Sequence, residues 1–175
     1  MSDRFGVFLL LAANVFFAGC SMLPALPEVP FLKDGISISV KAEKDLNTFN
    51  REPHTLVVVV YQFSEQGTFR AMLEDPAGVA TLLEGGIFDK IVLAKNKLVI
   101  QPGDKKKYFV DRVVGVRYIG VVAGYYIQQP GSIGRLIPFE RKSNMIYFWR
   151  LFQSDPSETR LELMLGKDGI IGNII

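Results

Sequence analysis

Hydrophobic and polar residues follow one another along most of the chain in patterns typical of β-strands. Apolar and polar side chains alternate over residues 35–42 (GISISVKA), which predicts a strand with one buried face. Residues 55–63 (TLVVVVYQF) form a continuous run rich in β-branched residues, which predicts a central strand covered on both faces. Similar patterns predict further strands over 90–94, 97–100, 106–110, 116–127, 135–139, 145–152 and 160–165.

The pattern between residues 64 and 86 is helical instead. Asp75 followed by Pro76 predicts the start of a second helix, and Gly85 is suited to its end. About eight strands with one short helical insertion after the second strand predict a mainly β, two-layer β-sandwich, because two packed sheets bury one face of each strand. The apolar residues at helical spacing are Phe69, Met72, Leu73, Val79, Leu82 and Leu83.

Glycines carry two local predictions. Pro102-Gly103 suits the two middle positions of a type II turn between strands. Gly120 and Gly124 lie inside the predicted strand 116–127, where a glycine indicates a bulge or a place at which a neighbouring group approaches closely.

The N-terminus carries an apolar run over residues 5–17 (FGVFLLLAANVFF). A helix needs roughly 20 apolar residues to span a bilayer, so we do not expect a transmembrane helix here. A shorter run followed by small residues is typical of a secretory signal peptide, here residues 1–19. An ordinary signal peptide with an incidental cysteine, or a buried N-terminal helix, is the alternative interpretation.

Cys20 is the only cysteine of the chain and directly follows Ala18-Gly19. This ending resembles the bacterial lipobox, in which the thiol receives a diacylglyceryl group and the cysteine becomes the new, N-acylated N-terminus. The resemblance implies a lipid-anchored protein, and Ser21 resembles an outer-membrane address. Prolines recur at a three-residue spacing after Cys20, so we predict an extended tether over 20–33 and a folded domain over 34–175.

Composition excludes several classes of function. The formal net charge is +2, and Lys105–Lys107 beside a turn is typical of a solvated hairpin, so no nucleic-acid partner is expected. One cysteine and one histidine exclude a disulfide framework and a clustered Cys/His metal site.

The sequence also offers no catalytic set. His54 has no recognisable nucleophile partner, and the adjacent Glu74 and Asp75 diverge on a helix. We therefore expect no enzyme activity and no cofactor, and we expect Trp149 in the core.

The polar connection between the first two strands, residues 43–54, contains two apolar residues that it does not need. Leu46 and Phe49 are expected to be exposed there, and apolar side chains rimmed by polar groups are typical of a partner site. Arg51 and Glu52 would then be rim charges that affect encounter more than affinity. The alternative is that Phe49 folds back onto the end of the sandwich.

Several segments, in this order, resemble the TssJ family of outer-membrane lipoproteins of the type VI secretion system. They are 46–63 (LNTFNREPHTLVVVVYQF), 69–83 (FRAMLEDPAGVATLL), 98–104 (LVIQPGD) and 117–126 (RYIGVVAGYY). The resemblance implies a transthyretin-like sandwich whose first loop docks the periplasmic domain of the inner-membrane protein TssM.

The resemblance also assigns sites and a location. It implies lipidation of Cys20 and an outer-membrane protein that faces the periplasm, with other lipoproteins of the membrane complex as further candidate partners. The expected partner-binding residues are those of the first loop: Leu46, Asn47, Thr48, Phe49, Asn50, Arg51 and Glu52.

Two other functions compete with this one. An envelope lipoprotein that binds a glycan or an apolar ligand between its helices and sheet would need a buried pocket lined by aromatic side chains. A periplasmic hydrolase would need His54 to act with a nucleophile, and the sequence offers no such pair.

Overall fold

A computed structural model describes residues 29–129, 131–139 and 158–172. Within them the chain forms eight strands and two short helices. The elements in chain order are β1 (Leu32–Ala42), β2 (Leu56–Phe63), α1 (Gly67–Glu74), α2 (Pro76–Glu84), β3 (Val92–Ile100), β4 (Lys105–Arg112), β5 (Tyr118–Ala123), β6 (Gly134–Pro138), β7 (Thr159–Leu165) and β8 (Ile170–Ile171).

The strands form two four-stranded sheets, which confirms the predicted β-sandwich. One sheet has the order β4-β1-β7-β8 and the other the order β3-β2-β5-β6. Neighbouring strands are antiparallel except β1 and β7, which are parallel. Three of the six strand pairs, β1-β4, β1-β7 and β2-β5, join strands that are not consecutive in the sequence.

Individual strands differ from the sequence prediction in extent. Segments 90–94 and 97–100 belong to one continuous strand, β3, and the predicted strand 116–127 ends at Ala123 in β5. The two-residue strand β8 was not predicted, because two residues are too short to show a periodicity. The predicted strand 145–152, including Trp149, lies outside the described residues.

The second helix, α2, begins and ends as predicted. The N–H of Gly78 donates to Asp75 Oδ2 at 3.0 Å, and Pro76 occupies the first turn of α2. Gly85 ends the helix with a φ of 73°, and its N–H donates to the carbonyl oxygen of Leu82. Helix α2 lies against β2 and β5 of the second sheet, and α1 packs against α2.

An aromatic cluster fills the space between the helices and this sheet. Tyr61 and Phe63 of β2 stack at 5.4 Å between ring centroids, and Phe63 lies 5.0 Å from Phe69 of α1. A Cβ on Gly120 would lie 2.7 Å from the Phe63 ring and 2.8 Å from the Phe69 ring. The predicted close approach at this glycine is thereby confirmed.

The sandwich has two distinct ends, joined by β1. We call the end that carries the β1–β2, β3–β4, β5–β6 and β7–β8 connections the loop end. At the opposite end, the N-terminal end, the N–H of Gly115 donates to the carbonyl oxygen of Val29 at 3.0 Å. Leu32 pairs with Arg112 and Lys41 with Lys105, so β1 runs alongside the whole of β4, whose seven residue steps between these partners span about 24 Å at the usual rise per residue.

Candidate functional site

The β1–β2 loop, residues 43–55, turns back onto the loop end, and Leu46 enters the core. Its side chain has an exposed fraction of 0%, so the expectation that Leu46 is exposed was wrong. The Leu46 carbonyl oxygen accepts from the N–H of His54 at 3.0 Å, which holds the two arms of the loop together. Burial of this apolar side chain removes it from water and fixes the base of the loop.

Asn47 is also buried, and it joins two loops rather than facing solvent. Its Nδ2 donates to the carbonyl oxygen of Thr55 at 3.1 Å, and its Oδ1 accepts from the N–H of Tyr126 at 2.9 Å. Its φ of 49° lies in the left-handed region, which asparagine tolerates better than most residues. Its side chain is thus engaged within the fold, and its role as a contact residue stays a prediction.

The tip of the loop is a miniature hairpin. Phe49 and Glu52 form an antiparallel bridge through two backbone hydrogen bonds of 2.9 and 3.0 Å. The central residues Asn50 and Arg51 have φ values of 52° and 68°, the combination that defines a type I′ turn. Thr48 stands half-buried below the tip, and its Oγ1 donates to the carbonyl oxygen of Asp45 at 2.6 Å.

Three aromatic rings meet at this tip. Phe49 stacks on Tyr126 at 4.8 Å between centroids, and His54 meets Tyr126 edge-on at 5.0 Å. Phe49 retains an exposed fraction of 43%, and Tyr126 and the adjacent Ile127 are exposed as well. We call Phe49, Tyr126 and Ile127 the tip surface. Phe49 thus packs onto the end of the sandwich through Tyr126, as the alternative expected, and still remains partly exposed.

The tip surface includes two residues that the sequence prediction of the site omitted. Tyr126 and Ile127 belong to the β5–β6 connection and are far from Phe49 in the chain. Their apolar character suggested the continuation of a strand, but β5 ends at Ala123 and leaves both side chains exposed. Arg51 and Glu52 are exposed beside the tip surface, as expected of rim charges.

His54 contacts a backbone carbonyl and two aromatic rings. His54 Nδ1 lies 2.8 Å from the carbonyl oxygen of Glu52, so this nitrogen carries a proton, and the ring faces Phe49 and Tyr126. The hydrogen bond of the His54 side chain goes to a backbone carbonyl and not to a hydroxyl or thiol, so it makes no nucleophile–base pair of that kind. Among the described residues there is also no group of three or more His, Cys, Asp or Glu side chains that could hold a metal ion.

A ligand-binding lipoprotein would need a pocket between its helices and sheet, but in this protein Tyr61, Phe63 and Phe69 fill that space. An open depression of about 340 Å³ lies instead between α1 and the start of β6. Its lining contains no aromatic side chain and consists of Arg70, Leu73, Glu74, Gly131, Ile133 and Gly134. This packing argues against a buried aromatic ligand pocket in the described part of the chain.

Comparison with known proteins agrees with this architecture. Residues 34–168 match the family model of type VI secretion lipoproteins, which names VasD, EvfM and TssJ. This chain is a member of that family. No curated protein matches the chain significantly.

Solved structures of secretion-system components share the fold of this type VI secretion lipoprotein. Lip of Serratia marcescens, a membrane-bound component of the type VI secretion system, is 18% identical, with a TM-score of 0.63 over 82% of this chain and 97% of that one. TssJ1 from Pseudomonas aeruginosa is 15% identical, with a TM-score of 0.58 over 80% and 93% of the two chains.

A third similar chain comes from a structure described as the T6SS protein TssM C-terminal domain from EAEC. It is 16% identical, with a TM-score of 0.54 over 84% of this chain and 98% of that one. At such identities the likeness establishes the fold. In the described part of this family member, no helix is long and apolar enough to cross a membrane. Cys20 and the signal peptide lie outside the described residues, so lipidation stays a prediction.

Proposed function

We propose that this protein is a non-enzymatic outer-membrane lipoprotein that anchors the type VI secretion membrane complex. Lipid on Cys20 holds the domain on the periplasmic side of the outer membrane. The tip surface docks the periplasmic domain of the inner-membrane protein TssM, and the two membranes are thereby linked.

The arrangement of the two ends carries this proposal. The chain enters the domain beside Gly115 at the N-terminal end, and β1 leads directly to the β1–β2 loop at the opposite end. A lipid near the chain entry therefore leaves the tip surface free to face away from the membrane. A protein that is anchored at one end and binds a partner at the other needs its anchor and its binding surface at opposite ends of the domain.

The chemistry of the tip surface suits protein binding. Phe49 and Tyr126 are large aromatic side chains, which are enriched among the residues that dominate binding energy at interfaces. They stack on each other before any partner arrives, so little side-chain entropy remains to be lost on docking. Arg51 and Glu52 at the rim influence the association rate more than the affinity.

The docking role is tested by the substitution Phe49→Asp. We expect a loss of at least about 30-fold in affinity for the TssM periplasmic domain, since truncation at an interface hot spot costs about 2 kcal/mol or more and the substitution adds an unpaired charge. Phe109→Asp is the matched control, because Phe109 is a comparably exposed phenylalanine on β4. Unchanged affinity for Phe49→Asp, with an intact fold, would refute docking through the tip surface.

The anchor is tested separately through Cys20. Radiolabelled palmitate should enter the mature protein, and Cys20→Ser should release the domain from the membrane without changing its affinity for the TssM domain in solution. A Cys20→Ser protein that stays membrane-bound would rule out lipidation as the anchor and would leave the docking result standing.

A further inference from the structure

Two exposed apolar side chains lie at the N-terminal end of the sandwich, where the chain enters the domain. Phe31 precedes β1 and has an exposed fraction of 55%, and Val114 follows β4 with 49%. The hydrogen bond from the N–H of Gly115 to the carbonyl oxygen of Val29 joins the two segments. Both side chains therefore flank the point from which the tether leaves.

The backbone around this point is held by further contacts. Arg112 is buried, and its Nε donates to the carbonyl oxygen of Pro30 at 3.4 Å. Its guanidinium also lies 5.5 Å from the centre of the Phe139 ring. The N–H of Asp34 donates to Asp111 Oδ1 at 2.9 Å on the other side of Phe31. Phe31 is thus presented from a fixed segment of the domain and does not belong to a loose tail.

Charges near this surface offset one another. Lys33 and Arg117 are exposed, and so are Asp34 and Asp111. A surface with balanced charge gains little from anionic headgroups, in contrast to a polybasic patch. Any attraction of this end to a bilayer must therefore come from Phe31 and Val114 entering the apolar part of the interface.

The length of the tether keeps this surface close to the lipid. Nine residue steps separate Cys20 from Val29. A chain of that length reaches at most about 32 Å, whatever its conformation. If Cys20 is lipidated, as the proposed function requires, Phe31 and Val114 are held near the bilayer at high effective concentration, where even a weak apolar contact is populated.

We propose that Phe31 and Val114 form a membrane-contact surface that inserts into the bilayer carrying the lipidated Cys20. This contact fixes the orientation of the sandwich, with β1 pointing away from the membrane and the tip surface projecting from it. The lipid on Cys20 supplies the attachment, and the contact surface supplies the orientation.

The experiment uses the full lipidated chain in vesicles of phosphatidylethanolamine and phosphatidylglycerol that contain nitroxide-labelled lipid as a quencher. A fluorescent amino acid replaces Lys33 at the N-terminal end or Asn50 at the loop tip. If the cells used do not lipidate the chain, Cys20 is coupled to a maleimide phospholipid, so the surface is tested independently of the natural modification. The vesicles contain no TssM, so the result does not depend on docking.

We expect at least twofold stronger quenching at position 33 than at position 50, and the difference should persist in 0.5 M salt because the contact is apolar. Phe31→Ser with Val114→Ser should reduce the difference by at least half, to what the tether alone produces. Phe109→Ser with Val99→Ser is the matched control, since these residues have exposed fractions of 53% and 54%, and it should leave the difference intact. Equal quenching at both positions, or a difference that the first pair of substitutions leaves unchanged, would overturn the proposal.

Discussion

The side chain of Asn47 and the backbone of Tyr126 are joined by a hydrogen bond of 2.9 Å, across 79 positions of sequence. This bond ties the β1–β2 loop to the β5–β6 connection and brings Phe49 and Tyr126 into their stacked arrangement. A buried amide that satisfies backbone groups on two different loops is expensive to remove, because its partners are left without hydrogen bonds.

Replacement of Asn47 therefore has a predictable effect. Asn47→Ala should lower the free energy of unfolding by about 2–3 kcal/mol, since it orphans the Tyr126 N–H and the Thr55 carbonyl and places alanine at a positive φ. Asn47→Gly removes the same hydrogen bonds but tolerates that φ, so it should be less destabilising. Urea denaturation measures both. Equal stability of Asn47→Ala and the parent protein would contradict the bridging role.

The type I′ turn at the tip leads to a stabilising prediction. Arg51 adopts a φ of 68°, which costs a residue with a Cβ about 1–2 kcal/mol. Arg51→Gly should therefore raise the free energy of unfolding by about 1 kcal/mol, less the greater entropy of glycine in the unfolded chain. Arg51→Lys, which retains the charge and the strain, is the control and should change stability little. If the two variants are equally stable in thermal denaturation, the strained turn is not formed in solution.

The sequence allowed prediction of the features that depend on local pattern. Residues 35–42 alternate and residues 55–63 form a continuous apolar run, and these patterns follow directly from burial on one face and on both faces. Asp75-Pro76 specifies a helix start through the side chain of Asp75, which accepts from the N–H of Gly78. The environment of Leu46 was predicted wrongly, because an apolar residue in a loop has the same local signal whether it enters the core or faces a partner. Tyr126 belongs to the tip surface because the fold brings it against Phe49, and the local sequence around either residue does not show this contact.

The contrast between Leu46 and Phe49 can be measured directly. Leu46→Ala should lower the free energy of unfolding by about 2–5 kcal/mol, because it opens a cavity beneath the loop. Phe49→Ala should lower it by only about 1 kcal/mol, the contribution of an aromatic pair, while weakening docking. Chemical denaturation and a binding assay with the TssM domain separate the two effects. Similar losses of stability in both variants would contradict the assignment of Leu46 to the core and Phe49 to the surface.

Gly120 provides a test of packing beneath the helices. Gly120→Ala should destabilise the domain by about 1–3 kcal/mol, because the new methyl group would collide with the rings of Phe63 and Phe69. Gly124→Ala is the control, since its Cβ would meet the flexible end of Leu83 at 3.3 Å and should cost less. In a double-mutant cycle, Phe69→Leu should recover part of the loss from Gly120→Ala. Purely additive effects would show that the Phe69 ring is not the obstacle.

Tyr61, in the same aromatic cluster beneath the helices, makes the stability of the domain depend on alkaline pH. Burial raises the pKa of the Tyr61 phenol to about 12, while a tyrosine in the unfolded chain titrates near pH 10. The folded protein holds this proton more tightly, so the associated stability is complete below about pH 10 and is lost as the pH rises towards 12. Burial, followed by the nearby carboxylate of Glu43, raises the pKa of Tyr125 as well. Denaturation measured between pH 9 and 12 should therefore show a falling free energy of unfolding.

The variant Tyr61→Phe tests this assignment. It should be less stable at neutral pH, because Tyr61 donates to the carbonyl oxygen of Leu82 at 2.7 Å, yet its free energy of unfolding should fall less steeply with pH. An unchanged slope in Tyr61→Phe would mean that this phenol ionises freely in the folded protein.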